Sequence, residues 1–328
     1  MSILYITSDS IQTMMPPVCS EIFDGLRQVA DVIPYGPGFP GFEGDRFPEV
    51  IGKCPSRIEL VIVDENTLLE SLSGFRVSSL AAVDIPKAHF VGDYHSAIAQ
   101  RRDFCQRNRI DVIITRYEAG LPVLRTFGVP HIVHCPHTLN PDEIPAPPIE
   151  RPYDVVVSGA MLPGVYPFRV RLYRLLSRCR DLRVLRIPHP GYCDLADLPP
   201  EALVRERYYA AIASARIGIS TASIYKLPLR KYPEIAACGT IVAGDLPEHG
   251  IELIRDDMIV LEPEMPDEEI IASLRRGLGY FEVNAPQRAE LAQHVISYYA
   301  HTAVARRLLR DIARCLAGAF PWDEEGRT

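Results

Sequence analysis

Short apolar runs that do not alternate with polar residues, each followed by a helical pattern, limit what this chain can fold into. ILYITSD (residues 3–9) is the first, and a helical stretch from about Pro17 to Ala30 follows it. DVIPYG (31–36), LVIVDEN (60–66), AHFVGDYH (88–95), DVIITRYE (111–118) and HIVHCPH (131–137) repeat the theme. A strand apolar on both faces has to be covered on both faces. Strands that alternate with helices pair in parallel through crossovers. The first half therefore reads as an open parallel sheet between helical layers.

LNPDEIPAPPIERP (139–152) interrupts this rhythm with five prolines in fourteen residues. Nothing in it is periodic, and it reads as a stiff, extended linker. The pattern then restarts. YDVVVSGAM (153–161), LRVLRIPH (182–189), IGISTAS (217–223) and MIVLEP (258–263) are strands. YPFRVRLYRLLSRC (166–179) and PPEALVRERYYAAIASA (199–215) are helices. VARRLLRDIARCLAG (304–318) is a closing helix. The expectation is α/β architecture: two Rossmann-like, doubly wound domains facing across a cleft, at 1–150 and 151–300. Residues 301–328 form a closing helix and tail. Open parallel sheets bind ligands beyond the carboxyl ends of their strands, so the cleft is where a ligand is expected.

Composition narrows the function. With 328 residues and 47% hydrophobic content, the chain is long enough for two ordinary cores. A formal charge of −7 argues against a surface that coats nucleic acid, while leaving room for a local basic cleft. No apolar run reaches the roughly 20 residues of a membrane helix, and MSILYITSDS lacks the basic start and cleavage site of a signal peptide. The eight cysteines (19, 54, 105, 135, 179, 193, 238 and 315) are scattered, with no C-x-x-C. They read as reduced core residues of a cytoplasmic protein.

The segment LRKYPEIAACGTIVAGDLPEHG (229–250) carries the chemistry. It reads as a short helix, a Cys-Gly stop, a buried strand and an acidic turn. Arg230 and Lys231 open the helix, and Glu234 is the carboxylate inside it. A helix start suits phosphate, and a carboxylate one turn further in can accept hydrogen bonds from sugar hydroxyls. Together they suggest a pocket for a ribose bearing a diphosphate.

Three pieces, VGDYH (91–95), VSGAMLPGVYPFRVRLYRLL (157–176) and RKYPEIAACGTIVAGDLPE (230–248), resemble the two-domain GT-B glycosyltransferases. More narrowly, they resemble the group 1 and spore-coat type. The resemblance implies that the second domain holds a nucleotide-sugar donor, that the first holds an acceptor, and that the closing helix returns to the first domain. Carried onto this chain, it implies that Glu234 binds the donor ribose. Arg230 and Lys226 would face the diphosphate. Ser158 and Gly159 would let backbone approach the phosphates, with Tyr166 and Arg169 nearby. Many retaining members carry a second Glu eight residues before the ribose Glu, and Lys226 stands there in this chain.

Asp93 and His95 end a strand of the first domain and are candidates for the base acting on the acceptor. With no Asp-x-Asp in the chain, metal-independent transfer is expected, with Arg230, Lys226 and a helix in place of a cation and no further cofactor. The acceptor stays open among saccharide, natural product, lipid and protein, and no nucleic-acid partner is expected. Two alternatives share the architecture: a nucleotide-sugar epimerase, and a non-catalytic glycosyltransferase-like binding subunit.

Other features read more plainly. Gly36, Gly38 and Gly41 match G-x-G-x-x-G, but two prolines remove N–H donors and no helix clearly follows, so a turn or an acceptor loop is expected. His131 and His134 point to opposite faces of a strand, which disfavours a metal site. Tyr208 and Tyr209 read as core or helix-face residues, and Arg306, Arg307 and Arg310 as a solvated helix face.

Overall fold

A computed structural model describes residues 1–10, 14–15, 20–65, 75–146, 150–191 and 193–316. The chain divides into two compact units. One comprises Met1–Thr138, Tyr192–Ala196 and His301–Thr328, and the other Leu139–Gly191 and Asp197–Ala300. Among the described residues thirteen strands are numbered in chain order: β1 (Ser2–Ile6), β2 (Met14–Met15), β3 (Asp31–Tyr35), β4 (Leu60–Val63), β5 (Lys87–Phe90), β6 (Val112–Thr115), β7 (His131–His134), β8 (Tyr153–Ser158), β9 (Val184–Ile187), β10 (Cys193–Asp194), β11 (Ala215–Ile219), β12 (Ile241–Gly244) and β13 (Ile259–Val260).

In the first unit the sheet order is β3-β1-β4-β5-β6-β7, and every pairing is parallel. β4 and β6 are buried along their whole length, as runs apolar on both faces require. Two hydrophobic clusters cover the sheet. One contains Ile3, Tyr5, Leu60, Ile62, Val112 and Ile114, and the other Leu4, Ile6, Val61, Val63 and Ile113. Successive residues of a strand thus feed opposite layers. The helix His301–Cys315 packs against the helix Ser20–Val29, and Val304, Leu308, Leu309 and Ile312 complete the first cluster. Spacings of three and four residues put these four side chains on one helix face. A two-residue antiparallel pair, β2 with β10, completes the unit.

The second unit has the order β13-β12-β11-β8-β9, again wholly parallel. Chain order therefore reverses at β8: β9 lies on one side of it and β11 on the other. The switch point between β8 and β11 is where an open parallel sheet offers a crevice.

The described ends of the proline-rich segment are held by specific contacts. Leu139 is buried, its N–H donates to Tyr299 O at 2.8 Å, and it bridges Ala300 in parallel. Asn140 caps the turn Pro141–Glu143 by accepting from Asp142 N. Arg151 donates to Ala213 O, Ala215 O, Thr240 Oγ1 and Cys238 O. Polar groups next to the prolines find partners in the second unit, which fastens the segment there and puts the unit boundary at Thr138 and Leu139.

Predicted strands run longer than observed ones at their carboxyl ends. β5 stops at Phe90 and β6 at Thr115, so Asp93 and His95 lie in the turn beyond the strand. Gly36–Gly41 is a turn, closed by Phe39 N donating to Gly36 O. Seven cysteines are free, and Cys19 lies outside the described residues. Among the described residues no helix is long and apolar enough to cross a membrane.

Candidate functional site

Three loops and one helix end build a polar network at the switch point of the second unit. Tyr208, from the helix Arg205–Ala213, is its hub. The Tyr208 hydroxyl accepts from Lys231 Nζ at 2.8 Å, donates to Glu234 Oε2 at 3.2 Å, and lies 3.1 Å from Ser158 Oγ. Burial, and then the Glu234 carboxylate, raise the Tyr208 phenol well above its ordinary value, so it stays protonated. The Lys231 ammonium also stands 5.2 Å from the Tyr208 ring centroid.

Gly159, directly after β8, makes room for Lys231. Its φ is +99°, a conformation that L side chains rarely adopt. A β-carbon there would lie 2.4 Å from Lys231 Cε and 3.0 Å from Arg169 Nη1. Burial is the main cause that lowers the Lys231 amine to about 8. Arg169 and Arg230 push the same way, while Glu234 opposes them.

Glu234 is 6% exposed. Arg230 Nε lies 2.8 Å from Glu234 Oε1, and Arg230 Nη2 donates to Tyr209 OH at 3.1 Å. Each carboxylate oxygen thus has one protein partner. A carboxylate offers about four acceptor positions, which leaves capacity for the hydroxyls of a ribose.

Arg169 is 2% exposed and stacks over the Tyr166 ring at 4.0 Å. Its Nη1 donates to Ala160 O at 3.3 Å and its Nη2 to Thr221 O at 3.2 Å. It therefore ties the loop after β8 to the loop after β11, across the switch point. Thr221 Oγ1 in the second loop is buried, with no hydrogen-bond partner among the described residues. Lys226 is more exposed. Its φ is +54°, and Nζ lies 3.3 Å from Asp245 Oδ2. Asp245 also accepts from Ala222 N at 2.9 Å, and burial raises its carboxyl.

His189 follows β9 and was not singled out from sequence. Its Nδ1 accepts from Gly191 N at 3.0 Å. Burial, then Lys231, then Arg169 lower its pKa, so the imidazole is neutral near pH 7. A neutral ring that accepts at Nδ1 carries its hydrogen on Nε2, which makes Nε2 a donor.

In the first unit, the turn that holds Asp93 and His95 abuts Glu65, a carboxylate from the segment after β4. Glu65 Oε1 accepts from Asp93 N at 2.8 Å. Glu65 Oε1 also lies 3.9 Å from Arg101 Nη2, and Glu65 Oε2 lies 3.8 Å from Arg116 Nε. Desolvation by the surrounding protein, followed by Glu65, raises the Asp93 carboxyl, although Asp93 keeps contact with solvent. His95 packs edge-on against Tyr94.

The strand histidines are dispersed: His134 Nε2 is 3.1 Å from Arg116 O, and His137 Nε2 is 3.1 Å from Tyr117 OH. Among the described residues no group of three or more His, Cys, Asp or Glu gathers to hold a metal.

The sequence-derived donor residues Ser158, Gly159, Tyr166, Arg169, Arg230 and Glu234 thus surround one switch point, with Lys226 at its margin beside Asp245. Tyr208, Lys231, His189 and Thr221 join them. Lys231 carried a visible signal, as a second cation before Glu234. Tyr208 carried none, because an aromatic on a helix face reads as core.

Comparison with solved structures identifies the fold. Sucrose-phosphate synthase from Thermosynechococcus elongatus is 12% identical, with a TM-score of 0.62 over 96% of this chain and 99% of its own. Anabaena HepE, solved with UDP-glucose, gives 12%, 0.61, 96% and 100%. A glycosyltransferase from Rickettsia africae gives 11%, 0.59, 97% and 99%. The chain has the GT-B fold. These GT-B similarities are structural: no protein-family model and no curated sequence matches this chain.

Proposed function

We propose that this chain is a glycosyltransferase that moves a sugar from a nucleoside diphosphate sugar to a hydroxyl-bearing acceptor. One observation carries the reading: the Ser158–Tyr208–Lys231–Glu234–Arg230 network occupies the switch point of a parallel sheet. It offers a carboxylate with spare acceptor positions beside a cation that crosses a glycine. A pentose followed by a diphosphate presents the complementary groups in that order. The UDP-glucose held by HepE, which shares the fold, supports this donor class.

Transfer asks little covalent chemistry of the protein, because a nucleoside diphosphate is already a good leaving group. As the bond from sugar to phosphate oxygen breaks, negative charge grows on the diphosphate. The Lys231 ammonium is positioned to stabilise that charge, with Arg169 below Gly159 adding a fixed positive field. Neutral His189 adds an Nε2–H donor near these two cations. Glu234 fixes the ribose, and Arg230 and Tyr208 hold Glu234 in place. Lys226, beside Asp245, lies at the edge of the diphosphate region.

Asp93, with its raised carboxyl, is the base that takes the acceptor proton, and His95 assists it. The arrangement supplies its own positive charge, so we propose transfer without a metal or further cofactor. Seven free cysteines fit a reducing compartment, and we place the protein in the cytoplasm.

Titration calorimetry with UDP, GDP and ADP tests the reading. Binding of at least one is expected, and it weakens in Glu234→Gln. Absence of binding at millimolar concentration by folded protein rejects the proposal.

A further inference from the structure

Between Arg169 and Arg186 the chain carries seven arginines and a single acid, Asp181, in a protein whose formal charge is −7. The switch-point site accounts for Arg169 alone. The helix Pro167–Arg178 presents Arg171, Arg174 and Arg178 at spacings of three and four, on one face. That face borders a groove of about 340 Å³, whose apolar wall includes Pro163, Val170 and Leu175.

The usual reading of a run of charges is a solvated helix face. Two observations set this one apart. First, three neighbouring acids are already paired. Asp181 pairs with Arg275 at 2.6 Å, Asp154 with Arg183 at 2.9 Å, and Asp267 with Arg171 at 2.6 Å. Arg174 and Arg178 are exposed and have no ion-pair partner among the described residues. Second, the groove is built. Arg171 is anchored by Pro263 O, Met265 O and Asp267, which fixes one wall.

We propose that this groove binds a phosphate-bearing anion through Arg174 and Arg178. Two guanidinium forks one helical turn apart present N–H donors from both sides. One fork satisfies a carboxylate, whereas a phosphate has enough anionic oxygens to bridge two. Pro163, Val170 and Leu175 accept the non-polar part of the same molecule. The phosphate belongs either to a free phosphorylated molecule or to the headgroup of an anionic lipid. The site is separate from the donor network, and it stands whether or not the glycosyltransferase reading does.

The test uses the full chain, the double variant Arg174→Gln/Arg178→Gln, and a charge-matched control, Arg102→Gln/Arg255→Gln. One arm measures binding of inorganic pyrophosphate at low salt, with saturating UDP present to fill the donor site. The other measures co-sedimentation with vesicles of phosphatidylcholine alone or with about one third phosphatidylglycerol. UDP binding is measured separately in all three proteins. In at least one arm the native chain and the control should bind, weakening as salt rises. The double variant should bind about tenfold or more weakly, with UDP binding unchanged. Loss in the pyrophosphate arm assigns a free phosphorylated ligand, and loss in the vesicle arm a lipid headgroup. No binding in either arm overturns the proposal. So does equal binding by native chain and double variant, or equal loss in the control.

Discussion

Lys231 Cε stands 2.4 Å from the point that a β-carbon on Gly159 would occupy. The glycine and the lysine are therefore coupled: Lys231 keeps its place beside the first loop of the second unit only while nothing projects from residue 159.

Gly159→Ala should displace the Lys231 side chain and strain a backbone at φ +99°. A cost of about 1–3 kcal/mol in stability is expected, together with weaker nucleoside diphosphate binding. In a Lys231→Ala background the same substitution should cost less, because one of its two clashes is gone. Chemical denaturation of the four proteins of this cycle measures the difference.

Lys231 titrates low, at about 8. A diphosphate bound through its ammonium should lose affinity as pH rises through that value. The trend should vanish in Lys231→Met and move to higher pH in Lys231→Arg. Stability should move the other way. Between about 8 and the ordinary lysine value near 10.4 the unfolded chain holds more protons. Stability therefore rises with pH across that window, and denaturation at several pH values checks the sign.

Glu234→Ala should be worse for folding than Glu234→Gln. The alanine leaves Arg230 buried without its carboxylate, at a cost of about 3–5 kcal/mol. The glutamine keeps an acceptor for Tyr208 or Arg230 and mainly weakens ribose binding. Thermal denaturation and calorimetry with UDP separate the two effects.

Asp93→Asn should reduce turnover by about 10²–10⁴ while leaving donor binding intact. In the native protein turnover should rise with pH through the raised Asp93 carboxyl, and the substitution should flatten that limb. A pH profile of kcat on a panel of hydroxyl acceptors, with donor affinity measured in parallel, tests both statements.

Much of the fold was legible because apolar runs such as LVIV and VIIT admit little besides buried parallel strands. The network was partly legible. Ser158, Gly159 and Glu234 lie where strand ends and helix starts put them, positions that sequence order reveals. Tyr208 and Glu65 gather at their sites through packing between segments far apart in the chain, and no local pattern encodes that. The partners of the proline-rich segment were not legible for a related reason: Arg151 finds acceptors such as Ala213 O and Cys238 O that lie far along the chain.

Leu139 and Ala300 lie side by side, so the first entry into the second unit and the final exit from it adjoin. The core of the first unit still lacks Val304, Leu308, Leu309 and Ile312 when residue 300 is made. On the ribosome the portion synthesised earliest therefore cannot finish its core until the closing helix has been made.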